Sequence, residues 1–77
     1  MYYTERMLQE REDHDESQRE IAKKLNISQQ QYQKYEAGIN ALPIKYLIAF
    51  CNHYKVSADY ILGLPRNYRW PREERRK

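Results

Sequence analysis

Apolar residues recur along this chain at three- and four-residue spacing and seldom alternate, which predicts helices rather than strands. Gly and Pro are almost absent before Gly38, and Val, Ile and Thr are sparse, so helices joined by short turns are expected and a sheet is not. Thr4 to Asp13 reads as a first helix, with Met7 and Leu8 as its main apolar contribution. The polar run Asp13-His14-Asp15-Glu16 breaks the period and reads as a loop.

Ser17 opens a second helix. Glu20 stands three residues later, the spacing of a capping box in which each side chain satisfies a backbone N–H of the other residue. Ile21, Ala22 and Leu25 share one face, and Asn26, a residue tolerant of the left-handed conformation, ends the helix. Ile27 then leads into Ser28, which with Gln31 repeats the capping-box spacing. This third helix runs to about Glu36, and Gly38 supplies its C-terminal turn. Two short capped helices with so little chain between them must cross at a large angle, the shape of a helix-turn-helix.

Pro43 suits the first position of a fourth helix, in which Leu47, Phe50, Cys51 and Tyr54 follow at helical spacing until Val56. Ser57 caps a short fifth helix through Leu62, which Gly63 terminates. The predicted fold is therefore all-α: a five-helix domain over 1–64, followed by a basic and aromatic tail over 65–77. That tail, with Arg66, Tyr68, Arg69, Trp70 and Arg72, has three readings: a disordered terminus, a segment docking on this domain or a second copy, or an arm touching phosphates.

Geometry alone orients the third helix. With about 100° between successive residues, Tyr32 and Tyr35 lie about 60° apart and are expected to bury against the second helix. Gln30, Gln33 and Lys34 then point outward, with Gln29 at the edge of that face. Polar helix faces are ordinarily no more than solvated. Long amides and a lysine also suit the major groove, where Gln pairs bidentately with adenine and Lys reaches the acceptors of guanine.

The run Ser17-Gln-Arg-Glu-Ile-Ala through Leu25, Ile27-Ser28 and Tyr35-Glu-Ala-Gly38 resembles the Cro/Xre-type helix-turn-helix family of lambdoid phage repressors. The similarity continues through Pro43, Leu47, Phe50, Cys51, Tyr54 and Val56 to Gly63. The resemblance implies a sequence-specific DNA-binding transcriptional regulator, in particular a repressor. It implies that Gln18 and Ser28 contact phosphates, Ser28 besides its capping role, and that Gln29, Gln30 and Lys34 read bases. It also implies an Arg11–Glu36 pair joining the first and third helices. Glu10 and Glu16 depart from the family pattern, which commonly has Leu at both positions.

Because one such helix reads few bases, a homodimer on a pseudo-palindromic site is expected. The rival reading is a protein-interaction module of the same fold, such as an antitoxin or a regulator adapter. The charge distribution leaves both open. Residues 1–20 carry seven acids against three bases, whereas residues 61–77 carry six bases against two acids. The acidic first helix favours the rival; the outward glutamines and the basic second half favour DNA.

Composition narrows the rest. Seventy-seven residues suffice for one small domain, leaving no room for a separate effector-binding domain, so no small-molecule effector is expected. One cysteine, Cys51, forms no internal disulfide and reads as a small core residue. Cys51 and His53 point about 200° apart on a helix and cannot chelate one metal, and His14 is the only other histidine. Two glycines cannot make a phosphate loop. No cofactor, no metal and no enzymatic activity are expected. The charged start, Met1 to Glu12, lacks the apolar region of a signal peptide, and no run approaches the roughly 20 apolar residues of a membrane span, so the expected location is the cytoplasm.

Overall fold

The computed structural model describes residues 3–69, in five helices: α1 (Tyr3–Asp13), α2 (Gln18–Leu25), α3 (Gln29–Glu36), α4 (Ile44–Tyr54) and α5 (Ala58–Leu62). No strand occurs among the described residues, and no described helix is long and apolar enough to cross a membrane. Of the tail, Trp70 to Lys77 lies outside the described residues; Pro65 to Arg69 is exposed.

Local chemistry sets the helix ends. Ser17 and Glu20 complete their reciprocal box: the Ser17 hydroxyl accepts from the Glu20 N–H at 3.1 Å, and the Ser17 N–H donates to the Glu20 carboxylate at 2.8 Å. Asn26 closes α2 in the left-handed region (φ 65°). Ser28 begins α3 by accepting from the Gln31 N–H at 3.0 Å. The second half of that expected box is missing: instead of accepting from the Ser28 N–H, the Gln31 side chain turns to donate its amide to the Tyr35 hydroxyl at 2.9 Å. Pro43 stands just before α4 rather than inside it. That helix ends at Tyr54, two residues before Val56, and is closed by Lys55 in the left-handed region (φ 58°).

The helices close around one core of Met7, Ile21, Ala22, Leu25, Tyr32, Leu47, Phe50, Cys51, Tyr54 and Ile61. α2 packs on both α3 and α4, while α1 packs across α3 and α5. Leu8 corrects the expectation for α1: it is exposed, and Met7, fully buried, is that helix's core residue, with Tyr3 packed beside the cluster. Tyr3 also ties the start of α1 to the loop before α4, its hydroxyl accepting from the Leu42 N–H at 3.3 Å. Tyr35 is buried as expected, but its ring leans on Tyr46 of α4, with centroids 5.9 Å apart.

Candidate nucleic-acid interface

The placement of α3 depends on one carboxylate. Glu36, at its last turn, accepts four hydrogen bonds. Arg11 of α1 donates two in a fork, from Nε and Nη2, each at 3.0 Å. Gln18 of α2 donates from its amide at 2.8 Å, and the Tyr32 hydroxyl donates at 2.6 Å. Three helices thus meet at a group whose side chain is only 5% exposed. A charge held that deep needs such partners to offset its desolvation. Burial pushes the Glu36 carboxyl upward, but the bonds from Arg11, Tyr32 and Gln18 outweigh it, leaving it below the usual carboxylate value. The bond to Glu36 conversely raises Arg11. Burial first, and then the bond to Glu36, pushes the Tyr32 phenol far above the ordinary tyrosine value.

Arg11 has a second task. Its Nη1 donates to the Glu16 carbonyl at 2.8 Å, fixing the chain immediately before the N-cap of α2. The Glu16 side chain turns the other way, toward α4. It accepts from Tyr54 Oη at 2.9 Å and faces His53 Nε2 at 3.0 Å. Burial raises this carboxyl, while the His53 and Tyr54 contacts lower it further, for a net shift downward. Neither Glu10 nor Glu16 is fully exposed. Glu10 accepts from His14 through its carbonyl at 2.9 Å, with the carboxylate 3.7 Å from the same imidazole. The aromatic side of this cluster is Tyr54, with His14 and His53 rings at 4.8 and 4.6 Å. Sequence spacing could not reveal it, because its members lie on different elements; the only trace was the presence of Glu at positions where the family commonly has Leu.

With Glu36 turned inward, the outer face of α3 carries no carboxylate. Gln29, Gln30, Gln33 and Lys34 are all exposed there, while Tyr32 and Tyr35 occupy the buried side. The four residues expected to read bases therefore share one solvent-facing surface. Ser28 is exposed at the start of the helix, its hydroxyl occupied as a cap. Gln18 is half-buried, and only one of its two amide hydrogens is engaged by Glu36. No group of three or more His, Cys, Asp or Glu among the described residues is arranged to hold a metal.

Comparison with known proteins agrees with this geometry. The family model described as helix-turn-helix matches residues 7–61, from Met7 in α1 to Ile61 in α5. A relative in Bacillus subtilis (strain 168), named an uncharacterized HTH-type transcriptional regulator YobD, is 37% identical over 62 residues. The match takes in 80% of this chain and 55% of that relative, so the chain spans little more than half the length of the protein it resembles. No solved structure matches it. Capped α2 and α3, the tight turn at Asn26 and the match across residues 7–61 lead to one assignment: the chain belongs to the Cro/C1-type helix-turn-helix family.

Proposed function

We propose that the protein is a sequence-specific DNA-binding transcriptional regulator, acting as a repressor, that reads the major groove with α3. The observation carrying this reading is the outer face of α3: three glutamines and a lysine, all exposed, on a helix whose only carboxylate is turned into the protein. A carboxylate on that face would repel the duplex. Long amides there can meet base edges, Gln29 and Gln30 from the first turn and Gln33 and Lys34 from the second.

Gln18 and Ser28 serve as phosphate contacts at the starts of α2 and α3, where backbone N–H groups and the helix dipole favour an anion. Glu36 holds the Gln18 amide by one hydrogen, so the other is pre-aimed rather than free to rotate. A single α3 reads too few base pairs for selectivity, so the protein binds as a homodimer on a pseudo-palindrome, in the cytoplasm.

Selection of bound sites from a random duplex library tests the reading and returns half-site sequence and spacing together. Recovery of a two-fold-related motif is the expected outcome. Enrichment of no sequence, with capture of a protein partner instead, would favour an interaction module of the same fold, such as an antitoxin or adapter. That rival leans on the acidic start of the chain, within which the Glu16 carboxylate is engaged by His53 and Tyr54.

A further inference from the structure

We propose that Arg19 and Lys23 form an additional phosphate-binding site on α2, which takes the backbone of duplex DNA beside the bases that α3 reads; this rests on the DNA-binding reading above. The two residues are four apart, so they project from the same side of α2. That side is neither the buried face of Ile21, Ala22 and Leu25 nor the position of Gln18, which is held by Glu36. Arg19 and Lys23 are exposed and, with Ala22, Ile27 and Gln29, line an open groove of about 440 Å³. The groove runs from α2 across the turn to the first residue of α3. A duplex seated on the face of Gln29 and Gln30 therefore lays a strand along it.

Neither cation is within salt-bridge distance of a carboxylate among the described residues. Arg11, Arg6 and Lys45 are by contrast engaged: Arg11 with Glu36, Arg6 with the ring and carbonyl of Tyr60, and Lys45 over the ring of Tyr46. On α2 itself, Lys24 helps to lower the Glu16 carboxyl, whereas Lys23 lines the groove. The loop from Ala37 to Pro43 carries no basic residue, and residues 1–20 are net acidic. Between residues 18 and 43 the basic residues are therefore Arg19, Lys23 and Lys24 of α2 and Lys34 of α3. Four residues of helix separate the two charges by about 6 Å along its axis. That spacing lets the pair reach more than one phosphate of a strand bearing a charge every 3.4 Å or so.

Fluorescence anisotropy with the full chain and a 30-base-pair duplex, at salt from about 50 to 200 mM, tests the site through counterion release. In the homodimer each substitution removes a cation from both subunits, so Arg19→Gln and Lys23→Gln should each flatten the plot of log affinity against log salt by about 1.8, and the double variant by about 3.6. The double variant should then lose roughly a hundredfold less affinity than the parent protein over that range. Selected and unrelated duplexes should be weakened alike, with melting temperature unchanged. Lys55→Asn, a charge removal at the end of α4 by a residue that accepts its left-handed backbone, should leave the slope alone. A parental protein that binds DNA while the Arg19 and Lys23 variants keep its slope overturns this site and leaves the broader reading standing. An equal change with Lys55→Asn overturns it too, since net charge would then explain the effect. Failure of the parental protein to bind any duplex at low salt overturns both.

Discussion

Glu16 and His53 meet across 37 positions of chain, the imidazole Nε2 lying 3.0 Å from one carboxylate oxygen and 3.2 Å from the other. Glu16 is the last residue before the N-cap of α2, and His53 belongs to the final turn of α4. Their side chains are each 24% exposed, wet enough to tolerate charge and buried enough to need partners. Tyr54 Oη supplies a further donor from α4, while Arg11 grips the Glu16 carbonyl from α1. The start of α2 is thus pinned from both sides by polar contacts, where the resemblance leads one to expect Leu.

Removing the acceptor should therefore be costly in a way that an exposed glutamate would not be. Glu16→Ala leaves the buried Tyr54 hydroxyl without its partner and should lower stability by about 1 kcal/mol in urea unfolding. Combined with His53→Ala, the losses should be less than additive, because both variants break one contact. Full additivity would mean that the two side chains are neighbours without coupling.

Stability should fall on both sides of neutrality, for opposite reasons. Glu16 and Glu36 both lie below the usual carboxylate value when folded. Their contribution is present above the unfolded value of about 4.3 and is lost as pH drops through the lower folded values. Tyr32 and Tyr54 are raised by burial and by their carboxylate partners. Their contribution is whole below the unfolded tyrosine value of about 10 and declines as pH climbs beyond it. Urea unfolding from pH 3 to 11 measures both limbs. Glu36→Gln should flatten the acid limb more than Glu16→Gln, since Glu36 accepts four bonds in a deeper site.

Packing predictions follow from burial. Phe50, fully buried and edge-on to Tyr54, should cost about 3 to 5 kcal/mol as Phe50→Ala, and Leu47→Ala about 2 to 5 kcal/mol. Tyr35→Ala should lower the melting temperature, because it removes the contact with Tyr46. An unchanged melting temperature together with lost DNA binding would mean that the tyrosines face the duplex and that α3 is rotated.

Reading of bases separates from mere adhesion at three residues. Gln30→Ala should cost about 1 to 3 kcal/mol on a selected site and relax preference at one base pair. Gln18→Ala should weaken all duplexes alike with little change in salt slope, because an uncharged amide releases no counterion. Lys34→Ala should either flatten the slope, if Lys34 meets a phosphate, or erase discrimination, if it meets guanine. Binding-site selection repeated with each variant distinguishes these outcomes. If Gln29, Gln30 and Lys34 can all be replaced with base preference intact, α3 is not the reader.

The one-dimensional pattern determined whatever depends on neighbours within a turn or two. Ser17 with Glu20, Asn26, Ser57 and Gly63 set helix ends because capping bonds and left-handed turns span only a few residues. The inward Tyr32 and Tyr35 and the outward glutamines followed from the 100° step of the helix. What failed locally failed because another partner competed: Gln31 matches a capping box by spacing, yet its side chain turns to donate to the Tyr35 hydroxyl one turn on rather than accept from the Ser28 N–H. Leu8 looked as apolar as Met7, and only the docking of α1 on α3 and α5 decided which of the two is buried. The Arg11–Glu36 pair was implied by the resemblance, but that Gln18 and Tyr32 join it, and that His53 and Tyr54 converge on Glu16, belonged to the tertiary structure. A buried carboxylate is stabilised by whichever donors packing brings within about 3 Å, and those donors lie up to 38 residues away along the chain.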